Sequence, residues 1–393
     1  MILSKIILKP GKEQSVKRLH PWIFSGAIKK ISSDPQEGDI VKVYSNEQEF
    51  LAIGHFAYGS IAVRIFSFEN VEIDHNFWYN KIKAAYNFRN SLGIIDDIKN
   101  NVYRLVHGEG DQMPGVIIDI YNNVAVIQMH SYGMYRMIDE FSAILQEIYG
   151  TKLKAVYNKS SRTIHSRNVN ITDGYLYGFE KETIVTENGL KFKINWEDGQ
   201  KTGFFIDQRE NRKLLQQYTK DKDVLNVFAY TGGFSVYGLA GGAKSLVSVD
   251  SSAQAMQLTD ENIVLNFGEN ANHQSLTVDA FKYLNNIDNK FDVIILDPPA
   301  FAKHHKVLNK AIVGYKKINQ KAFEQIRKGG ILFTFSCSQA VSASEFRKAV
   351  FVAAANAGRN IRVIHKLTQA PDHPVSIYHP EGDYLKGLVL YVE

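Results

Sequence analysis

The chain is nearly without thiol chemistry: one cysteine, Cys337, stands among 393 residues. A single thiol excludes an internal disulfide and a cysteine-rich zinc site, leaving either a packed small hydrophobe or a reactive group. The twelve histidines include no His-x-x-x-His or similar pair flanked by acids, so no metal is expected. No run of about 18 apolar residues occurs, and Lys5 interrupts the only apolar run of the opening MILSKIILKPGK. Neither a spanning helix nor a secretory signal is expected, and the chain reads as cytoplasmic. Segments of disordered composition are also missing, since 45% of residues are apolar and 22% charged. The length exceeds what one core supports, so two or three domains are expected.

The net charge of +5 is small but unevenly placed. Residues 1–30 hold seven Lys or Arg against Glu13, residues 151–170 five against no acid, and residues 299–330 eight against Glu324. Three basic patches in three regions suit one polyanion crossing several domains, although a Lys run is as often a solvated face.

Residues 1–72 alternate short apolar runs with turn signals such as Pro10-Gly11 and Gly38-Asp39, which predicts a small β-barrel. Lys17, Arg18, His20, Trp22 and Phe24 mix cations with aromatic faces, a combination that serves phosphate and unpaired bases. The alternative is that Trp22 and Phe24 are barrel core. The opening, KRLHPWIFSGAI followed by a Gly-Asp turn and IVKVYS, resembles the PUA module of RNA-modifying enzymes.

Residues 73–190 predict a small α+β domain. A helix spans His75 to Leu92, two strands flank Tyr121-Asn122-Asn123, and a second helix spans Tyr135 to Tyr149. His107, Glu109 and Asp111 around two glycines read as a solvated loop rather than a metal site, and Arg162 and Arg167 as phosphate contacts. Asn188-Gly189 between TIVTE and LKFKINWE predicts a hairpin. Phe204, Phe205, Asp207 and Gln208 then precede residues 191–393's main feature, a regular alternation of strand and helix that predicts a doubly wound, mainly parallel sheet.

Its first unit, VLNVFAYTGGFSVYGLAGGAKSLVSVD, reads as strand, Gly232-Gly233 turn, short helix and a strand ending on Asp250. Such a turn exposes backbone N–H groups at a helix start, and the later acid suits ribose hydroxyls; an ordinary βαβ unit is the alternative. The turn lacks Gly-x-Gly-x-x-Gly, which disfavours a dinucleotide. The looser turn suits S-adenosylmethionine, with Phe228, Tyr230, Thr231, Gly232 and Gly233 in the turn, Asp250 on ribose, Asp279 near adenine, and Phe204, Phe205, Asp207 and Gln208 covering the site; the alternative is that Phe204 and Phe205 only seat the helix on the sheet. The fourth strand ends Asp297-Pro298-Pro299-Ala300-Phe301, a rigid extended turn suited to holding a planar substrate. Cys337, just past the fifth strand in FTFSCSQ, is expected in the same crevice, where a thiolate adding to carbon 6 of a pyrimidine would make carbon 5 nucleophilic.

Together KTGFFIDQRENR, VLNVFAYTGGFSVYGL, VSVDSS, TVDAF, DVIILDPPAF, GYKKINQKAF, GGILFTFSCSQ and DHPVSIYHPEGDYLKG resemble the motifs of RlmI-type 23S ribosomal RNA (cytosine-C5) methyltransferases over nearly the whole chain. The resemblance implies an N-terminal PUA barrel, a middle α+β domain and a class I methyltransferase domain. It makes Cys337 the nucleophile and Asp297 the holder of the cytosine edge, and puts Asp250 and Asp279 on the adenosine of S-adenosylmethionine. It adds Pro298, Phe301 and Lys303 beside the substrate, with 23S ribosomal RNA, free or within a large-subunit precursor, as partner; a homodimer stays open. Where many such enzymes carry a second cysteine in the fourth-strand motif, this chain has Pro299 and Ala300, and Ala300 also stands where lysine is familiar. Amino-nitrogen methylation through Asp297-Pro298-Pro299, or a non-catalytic assembly factor, are the alternatives.

Overall fold

The computed structural model describes residues 3–95, 97–164, 170–181, 183–302 and 307–393; Arg167 and Lys303 lie outside them. Two compact units divide the chain: Met1–Val185 with Ile194–Ile206 and Pro371–Gly382, and Thr186–Lys193 with Asp207–Ala370 and Asp383–Glu393.

The first unit opens with β1 (Ser4–Leu8), α1 (Gln14–Lys17), β2 (Trp22–Phe24), β3 (Ile28–Ile31), β4 (Ile40–Tyr44), β5 (Phe50–Phe56) and β6 (Ile61–Ser67). These strands form one six-stranded sheet in the order β2-β6-β5-β4-β1-β3, in which only β1 and β4 run parallel. Period-2 alternation sends Ile6, Leu8, Val41 and Val43 into its core. Ile53 and Phe66 instead pack with Trp78 in the next core cluster.

That cluster lies between α2 (His75–Ser91), α3 (Tyr132–Tyr135), α4 (Ile138–Tyr149) and a five-stranded sheet ordered β11-β10-β9-β8-β7. Its strands are β7 (Val102–His107), β8 (Val116–Tyr121), β9 (Val124–Met129), β10 (Ala155–Asn158) and β11 (Gly174–Gly178). Asp74 caps α2 by accepting from the Phe77 N–H at 2.8 Å. Helix α2 buries Trp78, Ile82, Ala85 and Arg89, one face at helical spacing whose last member is a cation. Arg89 forms a two-pronged pair with Asp111 and donates to the carbonyls of Arg104 and Asp372 at 2.9 and 2.7 Å. The 107–111 segment is therefore not the solvated loop expected: Asp111 is the counter-ion of a buried guanidinium, and the Asp111 carboxylate also accepts from the His107 N–H.

β12 (Thr183–Glu187) and β13 (Leu190–Ile194) form the expected hairpin, with Asn188 and Gly189 both at positive φ, 50° and 83°. The second unit then contains α5 (Arg209–Leu215), β14 (Asp223–Val227), α6 (Gly233–Ala240), β15 (Ser245–Asp250), α7 (Ala253–Phe267), β16 (His273–Thr277), α8 (Ala280–Leu284), β17 (Val293–Leu296), α9 (Leu308–Gln325), β18 (Gly330–Ser336), α10 (Ala343–Ala357), β19 (Ile361–Leu367) and β20 (Lys386–Val392). Its seven strands are ordered β16-β15-β14-β17-β18-β20-β19, parallel except for β20. Both faces are covered by apolar clusters, so Val293 to Leu296 are all buried. The order reverses at β14, which puts a crevice at the carboxyl ends of β14 and β17. Among the described residues no helix is long and apolar enough to cross a membrane.

Candidate active site

The chain leaves β14 through a strained loop. Phe228 and Tyr230 have φ of 62° and 48°, and Gly232 at 76° starts α6. A Cβ on Gly232 would lie 2.6 Å from the Thr259 methyl, so glycine is required on both counts. The loop is held from outside. Ala229 N–H donates to the Val249 carbonyl at 3.0 Å, Tyr230 N–H to Asp250 Oδ2 at 3.0 Å, and Thr259 and Asn262 donate to the Tyr230 and Thr231 carbonyls, each at 2.9 Å. Asp250 ends β15 half-buried and accepts from Ser252 N–H through its other oxygen at 3.0 Å. Asp279 is exposed at the next strand end and caps α8 by accepting from Lys282 N–H at 2.9 Å.

Beyond β17, Asp297 is partly open to solvent, with its carboxyl seated deeply. Burial and the neighbouring Asp207 carboxylate push it up to about 7, against the Gln208 hydrogen bond and Arg212, which pull the other way. Gln208 donates to Asp297 Oδ2 at 3.0 Å and accepts from Asn211 at 2.7 Å. Both ends of its amide are thus used within the protein, and it orients Asp297. Asp207 Oδ2 accepts from the Tyr384 hydroxyl at 2.6 Å, while Asp207 Oδ1 is buried without a hydrogen-bond partner. Arg212 pairs with Glu187, and both are almost wholly buried. Arg212 also packs beneath Gly233, where an added Cβ would come within 3.2 Å of its Cδ.

Cys337 follows β18 directly, half-buried, with Sγ 3.9 Å from the Pro298 carbonyl. Strands β17 and β18 are neighbours in parallel register, so the turn after one and the residue after the other meet. Pro298 is buried, and Phe301 packs on Tyr315 with ring centroids 4.7 Å apart. Lys386, the first residue of β20, is buried beside this turn and donates to the Ser338 carbonyl at 2.8 Å.

The other candidates lie in the first unit. Arg18 and Arg162 are exposed, whereas Lys17 is engaged by Glu49 at 2.6 Å. Trp22 is not barrel core: its indole donates to Glu109 at 2.8 Å and its ring meets His379 at 4.4 Å, while Phe24 is 48% exposed. Phe204 is buried, its N–H donating to the Tyr121 hydroxyl at 3.2 Å. Residue spacing missed Lys386, Tyr384 and the Arg212–Glu187 pair. A lysine opening the otherwise apolar LKGLVLYV was the one visible signal among them.

Among the described residues no group of three His, Cys, Asp or Glu could hold a metal ion. Residues 160–384 match the family described as S-adenosylmethionine-dependent methyltransferase, and residues 6–68 match a PUA-like domain. The chain is 38% identical over 400 residues to the ribosomal RNA large subunit methyltransferase I of Alteromonas mediterranea and 39% identical over 396 residues to that of Pseudoalteromonas atlantica, covering 99% of both partners in each case. A methyltransferase solved in complex with SAH superimposes over 100% of both chains with a TM-score of 0.86 at 24% identity, a likeness of fold.

Proposed function

The chain belongs to the ribosomal RNA large subunit methyltransferase I family of S-adenosylmethionine-dependent enzymes, and from that premise we propose that it forms 5-methylcytosine in 23S ribosomal RNA, in the cytoplasm, by covalent catalysis through Cys337. The observation that carries this reading is the contact of the chain's sole thiol with the Asp297-Pro298 turn.

The second unit fits the cofactor. The buried, unpartnered Asp207 Oδ1 is an acceptor suited to its amino group, the strained loop Phe228 to Gly233 offers backbone at a helix start, and Asp250 and Asp279 stand at successive strand ends for the ribose and adenine. Bound S-adenosylmethionine supplies a methyl group as an electrophilic sulfonium. Cys337 as thiolate adds to carbon 6 of the cytosine, which raises electron density at carbon 5. Asp297, with a carboxyl that holds its proton up to about pH 7, donates to the ring nitrogen and takes up the charge that addition creates. With the methyl carried to carbon 5, loss of the carbon 5 proton to solvent restores the double bond, expels Cys337 as thiolate and returns the ring-nitrogen proton to Asp297.

Residues 1–72 act as a PUA-like RNA-binding barrel, 73–190 as the middle α+β domain and 191–393 as the catalytic domain. Arg18, Trp22 and Arg162 are the described residues assigned to RNA. Replacing Cys337 with Ala should leave cofactor binding near normal and abolish methylation, and 5-fluorocytosine-substituted RNA should trap the wild-type enzyme as a covalent adduct. An active Cys337→Ala enzyme, with no adduct, would instead indicate methylation of an amino nitrogen at the Asp297 turn.

A further inference from the structure

The first unit carries a groove of about 620 Å³, formed by the end of β6 with residues 68–74, the first two turns of α2, the 109–112 turn and residues 376–378. Arg18, Trp22 and Arg162 do not line it. Its apolar side chains are exposed for no reason internal to the fold. Ser376 to His379 form a turn closed by the His379 N–H donating to the Ser376 carbonyl at 2.9 Å. Turn corners ordinarily take Gly, Pro, Asn or Asp; here they are Ile377 and Tyr378, 86% and 50% exposed. The chain on either side of this turn is firmly held. The Asp372 carbonyl accepts from Arg89, a Cβ on Gly110 would collide with the Pro374 carbonyl, and the His379 ring meets Trp22. Leu19 and Val71, each more than a third exposed, line the same groove with Phe77. Single exposed apolar side chains are ordinary, but several converging from separate segments mark an interaction surface.

The groove is opposite in charge to the chain. Glu69, Glu72, Asp74 and Glu109 line it against Lys81 alone, in a protein of net charge +5. Asp74 caps α2, Glu109 accepts from the Trp22 indole, and Lys81 donates to Gln112 at 3.0 Å. The exposed Glu69 and Glu72 carboxylates have no hydrogen bond or salt bridge among the described residues. An RNA strand would meet like charge here. We propose that the groove docks a basic segment of a large-subunit ribosomal protein, with an apolar side chain seated among Leu19, Phe77 and Ile377 and neighbouring Lys or Arg paired with Glu69 and Glu72. The source rests on the family's ribosomal RNA substrate, because proteins that sit on that RNA carry cations to neutralise its phosphates; the groove itself does not depend on the reaction at Cys337.

The test uses the whole protein. Short overlapping peptides covering the large-subunit ribosomal proteins are arrayed and probed with it at physiological salt. The strongest binders are then titrated by fluorescence anisotropy against wild-type, Ile377→Ser and a joint Glu69→Gln, Glu72→Gln variant. All three side chains are exposed, so both variants should fold and should methylate naked ribosomal RNA as wild-type does. At least one peptide with Lys or Arg beside an apolar residue should bind, and its affinity should fall about tenfold or more in each variant. The absence of any binding peptide, or an affinity that survives either variant, would overturn the proposal. So would weaker binding of naked RNA by Ile377→Ser, which gives the groove to the substrate, or a wild-type dimer that this change dissociates in sedimentation, which gives it to a second copy. Methylation is read separately, so failure of docking leaves the covalent mechanism to be decided by Cys337→Ala.

Discussion

Asp297 should destabilise the enzyme it serves. Its carboxyl holds a proton up to about pH 7 when folded, against an ordinary value of 3.8. Between those values the native chain binds more protons than the unfolded one, so stability falls as pH rises through that window. The destabilisation is absent below about pH 4 and complete above about pH 7, and at roughly 1.4 kcal/mol per unit it reaches on the order of 4 kcal/mol. Asn is isosteric, stays neutral at every pH, and its oxygen still accepts from Gln208. Asp297→Asn should therefore be more stable than wild-type by up to about 4 kcal/mol near pH 8, by less than half that near pH 5, and not at all below about pH 4, while losing methylation throughout. Urea midpoints of the two proteins across pH measure this directly. Equal midpoints near pH 8, or a difference that does not change with pH, would refute the account of Asp297 as a carboxyl kept neutral by burial and by Asp207.

Other consequences are as direct. Gly232→Ala combines a positive φ with a Cβ 2.6 Å from the Thr259 methyl, so the loop must move; cofactor affinity measured by calorimetry should fall about tenfold or more, a loss of about 1.4 kcal/mol. Arg212→Met strands the buried Glu187 carboxylate and should lower stability by about 3–5 kcal/mol, whereas a joint Arg212→Met, Glu187→Leu replacement should recover much of that loss in the same unfolding assay.

Much of this architecture was open to reading from the chain. The alternation of apolar runs and helical segments after residue 222 is a local property, and a right-handed doubly wound sheet places consecutive strand ends side by side, so Asp250, Asp297 and Cys337 could be assigned to one edge before any coordinates. The β4–β5–β6 succession and the Asn188-Gly189 hairpin were legible because pairing partners close in sequence are announced by their turns, whereas the β2–β6 and β1–β4 pairings were not. Long-range charge pairing was not. His107, Glu109 and Asp111 read as a solvated loop because nothing nearby in sequence reveals that Arg89 comes off the last turn of a helix to meet Asp111, or that the Trp22 indole reaches Glu109.

Sequence alone determined the main elements, their order and the place of the single thiol. Tertiary structure decided the electrostatics around Asp297. β20 inserts antiparallel between β18 and β19, which carries Lys386 to the Ser338 carbonyl from 48 residues along the chain, and Asp207 and Gln208 close on Asp297 from 90 and 89 residues away. A side chain's proton affinity is set by burial and by charges within a few ångströms, and those distances exist only once the sheet has formed.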